Sequence, residues 1–274
     1  MAIKLVAFDM DGTFLNDQNT YNHPRFGKIL EQLRAQGIRV VAASGSQYQR
    51  LQDQFDEFKN EMDFVSQNGA VVYSDNQPLL IRAIPEEAVT ATLNVINNQF
   101  APTDIAEHLV VGVKSAYVDQ TISQAAYDLT YHYYNHLKRV SDLSTVTAQR
   151  LQDKITSIGI TFNAHVDFDA MMNNLRSALP AGLSSQTSGY NTELISESSV
   201  NKSAGLKELQ NKYNIANDEI MTFGDNENDL GMLKLTPYGY AVDNAVPKIK
   251  EQVNHYTDSN NDEGVLNVLE KLIR

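Results

Sequence analysis

The sequence contains no cysteine and no surplus of positive charge, and each absence excludes a class of function. Without cysteine the chain has no disulfide, no thiol nucleophile and no thiolate metal site. The 274 residues carry a formal net charge of -12. This charge argues against a nucleic-acid partner, because a polyanion is bound mainly by clustered Lys and Arg. An anionic ligand should therefore be small and should meet a local positive site, such as a metal ion with one Lys.

The sequence also lacks a long apolar run and a cleavable signal pattern. No stretch approaches the ~18 consecutive apolar residues of a membrane-spanning helix, and the opening segment MAIKLVAFDM carries an acidic residue early. We therefore expect no membrane partner and a cytoplasmic location, with which the absence of cysteine is compatible. A composition of 42% hydrophobic and 20% charged residues is typical of a globular protein with one or two domains.

Apolar strands alternate with amphipathic helices at both ends of the chain, which predicts a parallel α/β sheet. Residues 3–8 and 38–43 are continuous apolar runs, and between them apolar residues recur at helical spacing until Gly37. Residues 71–73 and 79–84 are expected to form a hairpin. Further strands are expected at residues 63–66, 219–223 and 238–242, and further helices near residues 47–58, 201–213, 229–235, 246–253 and 264–272.

The pattern changes between residues 84 and 188, which predicts an inserted α+β domain. This segment contains helix candidates at residues 86–97 and 169–179, strand candidates at 109–118 and 155–162, and a stretch rich in Tyr and His at 127–136. The α/β pattern returns after Gly189. We therefore expect a discontinuous core formed by residues 1–83 and 189–274.

Polar residues follow four of the predicted strands. Ligands of open parallel sheets bind at the carboxyl ends of the strands, where these side chains would converge. Asp, Asn and Ser are common in turns and helix caps, which would explain polar residues after one strand but explains poorly why they follow four. The residues are Asp9, Asp11, Ser44, Asn68, Asp225, Asn228 and Asp229.

The chain resembles the haloacid dehalogenase (HAD) superfamily, and within it the Cof-type phosphatases with a C2-type cap. The resemblance implies a Rossmann-like parallel-sheet core in which the cap is inserted after the third core strand. The aspartate pair followed by Gly-Thr, together with the GDxxND element, makes the combination specific. The matching motifs are FDMDGTFL at residues 8–15, ASGS at 43–46, QNGA at 67–70, NKSAGL at 201–206 and GDNENDLGML at 224–233.

The resemblance implies a magnesium-dependent phosphatase that hydrolyses a sugar phosphate or a phosphorylated cofactor through an aspartyl-phosphate. Asp9 would be the nucleophile, and Asp11 would protonate the leaving oxygen and then activate water. Mg²⁺ would be held by the carboxylates of Asp9 and Asp225 and by the backbone carbonyl of Asp11. Asp229 would support this site by positioning the metal's water ligands or Lys202.

The same resemblance implies a phosphate-binding group at the strand ends. Ser44 and the neighbouring backbone N–H groups, including that of Gly45, would contact the phosphoryl oxygens. Lys202 would add positive charge. Asn68 and Asn244 match family positions near the substrate entrance. Asn228 would bind substrate and, with Asp229, position Lys202 or the metal's water ligands. The chain departs from the family at Ser46, where Cof-type relatives often carry Arg, so its substrate preference is expected to differ.

Two other functions stay open at this stage. A phosphomutase would use the same aspartyl-phosphate, although the segment between Asp11 and Ser44 is too short for the cap such enzymes usually carry there. A non-catalytic sensor could bind a phosphorylated metabolite without hydrolysing it. Dehalogenating relatives lack the second acid, which is present here as Asp11. The oligomeric state is not determined by the sequence.

Two clusters in the inserted segment have simpler structural interpretations. His165, Asp167 and Asp169 alternate like metal ligands, but a strand end followed by an Asp that caps the next helix explains them better. The Tyr and His residues at 127–136 could line a pocket or a dimer contact, although such residues usually pack with a polar tip exposed.

Overall fold

The computed structural model describes residues 2–187 and 191–274. The strands are β1 (Leu5–Phe8), β2 (Arg39–Ala43), β3 (Asp63–Ser66), β4 (Val71–Ser74), β5 (Gln77–Ile81), β6 (Ile105–Gly112), β7 (Ala116–Asp119), β8 (Leu137–Val140), β9 (Ile155–Phe162), β10 (Leu183–Thr187), β11 (Thr192–Glu197), β12 (Ile220–Gly224), β13 (Tyr238–Val242) and β14 (His255–Thr257). The α-helices are α1 (His23–Ala35), α2 (Tyr48–Gln54), α3 (Glu86–Gln99), α4 (Gln124–Tyr133), α5 (Ala148–Leu151), α6 (Phe168–Ala178), α7 (Lys202–Tyr213), α8 (Leu230–Lys234), α9 (Pro247–Lys250) and α10 (Gly264–Leu272).

The chain divides into two compact units, a discontinuous one and an inserted one. The first unit runs to Leu80 and resumes at Asn201–Arg274, and the second comprises Ile81–Val200. The expected return to the core at residues 188 and 189 lies outside the described residues. Strand β11 pairs with β9 of the inserted sheet. Its hydrogen bonds therefore assign residues 192–197 to the inserted unit.

The first unit is built on an eight-stranded sheet with the order β14-β13-β12-β1-β2-β3-β4-β5. Neighbouring strands from β14 to β3 are parallel, and β4 is antiparallel to β3. Successive side chains of β1 point to opposite faces of the sheet. Val6 and Phe8 pack with α1 and α10 on one face, while Leu5 and Ala7 pack with α7 on the other. Helices therefore cover both faces, and the predicted α/β core is confirmed.

Helix α1 shows how the local sequence determines these elements. Asn22 caps its first turn by accepting a hydrogen bond from the Arg25 backbone N–H at 3.2 Å, and Pro24 occupies the first turn, where no amide donor is required. The helix ends before Gly37, whose φ of +75° is readily adopted by glycine. Its buried face consists of Phe26, Ile29, Leu30 and Leu33.

The second unit contains a six-stranded sheet with the order β10-β11-β9-β6-β7-β8. Neighbours from β10 to β7 are antiparallel, whereas β7 and β8 are parallel. The prediction of one strand at residues 109–118 is wrong, because β6 and β7 form a hairpin. Backbone N–H groups of Lys114 and Ser115 in its turn donate to the Asp153 carboxylate. That distant partner stabilises a turn within an otherwise apolar run.

Two expectations for the inserted segment can be compared with the structure. Asp167 caps α6 by accepting a hydrogen bond from the Ala170 backbone N–H at 3.1 Å, as predicted. Residues 127–133 of the Tyr-rich stretch lie in α4, on which Leu129 and Tyr131 are exposed. Among the described residues, no helix combines the length and the apolar character that a membrane span requires.

His108 on β6 is expected to contribute to the pH dependence of stability. Its Nε2 atom is buried without a hydrogen-bond partner among the described residues. Burial lowers the pKa of His108 to about 4, against a smaller opposing effect of Asp119. Between this pKa and the unfolded value of about 6.5, the unfolded chain binds a proton that the folded chain does not. The contribution of His108 to the free energy of unfolding should therefore fall as the pH falls through this range.

We predict that His108→Gln removes up to about 3 kcal/mol of this acid-dependent loss, since one pKa unit corresponds to about 1.4 kcal/mol. Urea unfolding between about pH 7 and pH 4.5 measures the effect. His165→Gln is the matched control, because the side chain of His165 is 62% exposed. Identical pH slopes for the wild type and the His108 variant would contradict the assignment.

Candidate active site

The carboxyl ends of neighbouring strands bring four polar segments together at one edge of the first sheet. Phe8 of β1 is in register with Ala42 of β2 and with Phe223 of β12. The Asp9 backbone N–H donates to the Phe223 carbonyl oxygen at 3.1 Å, and the Ser44 backbone N–H donates to the Val65 carbonyl oxygen at 2.8 Å. The segments that begin at Asp9, Ser44, Gln67 and Asp225 therefore leave the sheet side by side.

Lys202 is a fully buried cation at this edge. Its Nζ atom contacts Asp9 Oδ1 and lies 2.6 Å from Asp229 Oδ1. Lys202 and Asp229 are fully buried, and Asp9 is 7% exposed. Lys202 is the first residue of α7, where the helix dipole disfavours a cation. The two carboxylates therefore compensate both the burial and the unfavourable helix position of the ammonium group.

Close backbone contacts place Lys202 beside the strand ends. Asn201 caps α7 by accepting a hydrogen bond from the Ala204 backbone N–H at 2.8 Å. Gly69, in the 3-10 turn Gln67–Gly69, has a φ of +97°, and a Cβ there would lie 2.2 Å from the Asn201 carbonyl oxygen. Only glycine allows the turn after β3 to approach the start of α7 this closely.

Asp229 organises the loop after β12. Its Oδ2 atom accepts hydrogen bonds from the backbone N–H groups of Asp225 at 3.0 Å and Asn226 at 3.1 Å, while Oδ1 accepts from Lys202. Both carboxylate oxygens therefore have protein partners. These bonds fix the backbone that carries Asp225.

Asp225 is held next to the loop after β1. Thr13 Oγ1 donates to Asp225 Oδ1 at 2.8 Å. Gly12 has a φ of +80°, and a Cβ there would lie 2.9 Å from Asp225 Oδ2. Asn244 Nδ2 donates to the Gly12 carbonyl oxygen at 2.6 Å. The loop after β1 is thus fixed from two sides, and its Gly12 leaves room for the carboxylate.

The site carries more negative than positive charge. Burial raises the pKa of Asp9, and the neighbouring Asp229 raises it further. Burial and Asp229 likewise raise the pKa of Asp225 to about 6. Burial favours a lower pKa for Lys202, but Asp229 and Asp9 outweigh it and raise the pKa. Lys202 therefore stays protonated, while the raised pKa values of Asp9 and Asp225 indicate that negative charge at these two positions is incompletely compensated.

A divalent cation fits this charge and this set of donor atoms. Asp9, Asp225 and Asp229 each offer a carboxylate oxygen, and these oxygens lie within 4.8 Å of one another. Oxygen ligands of this kind suit Mg²⁺, a hard cation. The Asp11 side chain is paired with Arg50 and is not part of this cluster.

The predicted phosphate-binding residues lie on the adjoining loops. Ser44 Oγ accepts a hydrogen bond from the Ser46 backbone N–H at 3.0 Å. Asn68 donates its backbone N–H to the Ser44 carbonyl oxygen at 3.0 Å and accepts from Asn228 Nδ2 at 3.2 Å. A Cβ on Gly45 would lie 3.3 Å from Asn68 Oδ1. The structure thus connects the loops after β2, β3 and β12 at the same edge.

Arg50 is a site residue that sequence reasoning missed. Its Nη1 and Nη2 atoms lie 2.9 Å and 2.8 Å from Oδ2 and Oδ1 of Asp11, and Nη1 also contacts Ser46 Oγ. Arg50 follows Ser46 by four residues, but Ser46 precedes α2, which begins at Tyr48, so helical spacing does not predict this contact. The sequence also does not indicate that Arg50 meets Asp11.

Comparison with known proteins identifies the family. The family model described as haloacid dehalogenase-like hydrolase matches residues 6–269. The chain belongs to this family. The curated protein "5-amino-6-(5-phospho-D-ribitylamino)uracil phosphatase YbjI" of Escherichia coli is 33% identical over 100% of this chain and 97% of its own. The protein "5-amino-6-(5-phospho-D-ribitylamino)uracil phosphatase YitU" of Bacillus subtilis is 24% identical, and the match covers 97% of this chain and 96% of that protein.

A solved structure shares the fold of this chain. The crystal structure of SMU.1108c from Streptococcus mutans has a TM-score of 0.89 and 29% sequence identity, with 98% of each chain covered. The predicted membership of the HAD superfamily is therefore confirmed, and the chain is a HAD-type enzyme.

We predict that removing the buried cation destabilises the folded protein. Lys202→Met keeps a long apolar side chain but leaves Asp9 and Asp229 without their counter-charge, which should lower the free energy of unfolding by about 3–5 kcal/mol. Urea unfolding in the presence of a chelator measures the change. Lys212→Met is the matched control, because its ion pair with Asp75 is part-exposed and worth at most about 1 kcal/mol.

The double variant Lys202→Met/Asp229→Asn should recover part of the lost stability, since it also removes one buried negative charge. Equal losses for the Lys202 and Lys212 variants, with no recovery in the double variant, would contradict the electrostatic account of this site.

Proposed function

We propose that this HAD-family enzyme is a phosphatase that hydrolyses a small phosphomonoester through an aspartyl-phosphate. The observation that carries the proposal is the buried Asp9 carboxylate at the end of β1, in contact with Lys202 and followed two residues later by the part-exposed Asp11. One carboxylate is thus held beside a cation while a second remains reachable from solvent. Phosphoryl transfer uses these two roles, a positioned nucleophile and a proton donor.

The reaction would proceed in two steps at phosphorus. First, an Asp9 carboxylate oxygen forms a bond to phosphorus as the bond to the leaving oxygen breaks, and Asp11 gives that oxygen a proton. Second, water attacks phosphorus and transfers a proton to Asp11, and the Asp9–phosphorus bond breaks to release phosphate. Asp9 and Asp11 return to their starting states.

Mg²⁺ is the cofactor we propose, held by Asp9, Asp225 and the Asp11 backbone carbonyl, with Asp229 at the edge of the site. When bound, it would offset the carboxylate charge that would otherwise repel a phosphoryl dianion. The cluster of three carboxylates and the raised pKa of Asp225 support the need for a further cation. Lys202 supplies the fixed positive charge beside the nucleophile.

Ser44, Gly45, Asn68, Asn228 and Lys202 are proposed to bind the phosphoryl oxygens. Their loops adjoin one another at the carboxyl edge of the sheet. The Ser44 hydroxyl, the Gly45 backbone N–H, the two Asn amide groups and the Lys202 ammonium are donors suited to an anion, and they would offset the nearby carboxylates. The same donors would hold the phosphate product until it leaves.

The relatives suggest a substrate within this class. Two of them are named phosphatases of 5-amino-6-(5-phospho-D-ribitylamino)uracil, and one is 33% identical across the whole chain. We propose this ribityl phosphate as the first substrate to examine, followed by sugar phosphates and phosphorylated cofactors. A cytoplasmic location and the absence of nucleic-acid and membrane partners remain predictions of the sequence.

Phosphate release from a panel of these monoesters tests the proposal. We predict turnover with Mg²⁺ that stops on chelation and returns when the metal is added back. Asp9→Asn should reduce turnover at least about 10³-fold, because the amide cannot replace the nucleophilic carboxylate. Asp56→Asn is the control, since this carboxylate is 74% exposed and pairs with Lys59 on the surface.

The other outcomes point to the remaining functions. Turnover that survives Asp9→Asn in pure protein would overturn the aspartyl-phosphate mechanism. Transfer of phosphate between positions of one sugar, without release, would indicate a phosphomutase. Tight retention of a phosphorylated ligand that is never hydrolysed would indicate a sensor.

A further inference from the structure

Arg50 is a buried guanidinium whose charge faces the proposed acid of the reaction. It lies on α2, where its neighbour Leu51 is part of the hydrophobic core, and its side chain is only 7% exposed. Arginine is rarely buried to this extent unless a partner compensates its charge. Here the partner is Asp11, whose side chain is 43% exposed. The pair therefore has one end anchored in the protein and the other accessible to solvent.

The contact between the two side chains has the geometry of a fork. Nη1 of Arg50 lies 2.9 Å from Oδ2 of Asp11, and Nη2 lies 2.8 Å from Oδ1. Two parallel charge-assisted bonds fix the plane of a carboxylate as well as its position. A carboxylate has about four lone-pair sites, and the fork uses two of them. Asp11 can thus exchange a proton with a bound molecule while Arg50 still holds it.

Arg50 also connects Asp11 to the loop proposed to bind phosphate. Its Nη1 atom contacts Ser46 Oγ, and the Ser46 backbone N–H donates to Ser44 Oγ at 3.0 Å. Ser46 and Ser44 are both buried. The guanidinium is therefore fixed between the acid and the phosphate-binding loop, so a displacement of either would change the contacts of the other.

We propose that Arg50 is a positioning residue that orients the Asp11 carboxylate for proton transfer to the leaving oxygen. The inference rests on the proposed phosphatase function and adds a residue to its machinery. Arg50 acts through Asp11, so its loss should matter most where the leaving oxygen needs a proton. An alkyl leaving group needs that proton, whereas p-nitrophenolate leaves without it.

The test compares kcat/KM for p-nitrophenyl phosphate with kcat/KM for the most rapidly hydrolysed alkyl phosphate of the panel. The value of kcat/KM reports only the steps up to and including the first irreversible step. The later attack of water on the aspartyl-phosphate therefore does not affect it. For Arg50→Ala we expect a loss of about 10- to 100-fold with the alkyl phosphate, a part of the effect of a general acid. With p-nitrophenyl phosphate the loss should stay below about threefold. Asp11→Asn should show the same pattern with a larger loss.

Two further variants separate positioning from simple support of the fold. Arg50→Lys keeps the charge but not the fork, so it should recover less than half of the alkyl-phosphate activity lost in Arg50→Ala. Guanidinium at low millimolar concentration should partly rescue Arg50→Ala with the alkyl phosphate. Arg39→Ala is the matched control, because Arg39 also pairs with carboxylates, Asp63 and Asp75, but begins β2 at the opposite end of the strand from Ser44.

The outcomes distinguish this inference from the proposed function. Equal losses with both substrates, or full recovery in Arg50→Lys, would overturn the positioning role while leaving the phosphatase function intact. A wild-type protein that hydrolyses neither substrate with Mg²⁺ would overturn the proposed function and, with it, the role of Arg50. A loss selective for the alkyl phosphate, with guanidinium rescue, supports both.

Discussion

The contact of Lys202 with Asp9 and Asp229 is the interaction on which the rest of the site depends. It places an ammonium group, fully buried, at the start of α7, where neither burial nor the helix dipole favours it. The two carboxylates that compensate it come from the end of β1 and from the loop after β12, so the folded core must bring three distant segments together. Asp229 accepts hydrogen bonds from both Lys202 and the Asp225 backbone N–H, so the position of Lys202 is coupled to that of the Asp225 loop.

The core could be predicted well because each of its signals is local. A strand buried on both faces reads as a continuous apolar run, and β3, β13 and α10 begin and end at the expected residues. Polar residues directly after such strands must lie at one edge of a parallel sheet. Asp9, Ser44 and Asp225 could therefore be grouped in space before their contacts were known, and the family motifs gave them chemical roles.

The features that sequence reasoning missed depend on distant partners. The turn between β6 and β7 is held by Asp153, which lies outside the apolar run that it interrupts. Arg50 reaches Asp11 across 39 residues of sequence. Its direction depends on the rotation of α2, which the packing of Leu51 and Phe55 determines. The spacing of apolar residues predicts which face of a helix is buried, but it does not predict which residue of another segment contacts that face.

The measurement that tests the central claim most directly is the capture of the phosphoryl group on the enzyme. A single turnover with a substrate labelled at phosphorus, quenched in acid and treated with borohydride, would convert an aspartyl-phosphate to homoserine at its own position. We predict transient label on the protein and homoserine at position 9. Phosphate release without labelled protein at any quench time, or modification at a different carboxylate, would contradict the assignment of Asp9 as the nucleophile.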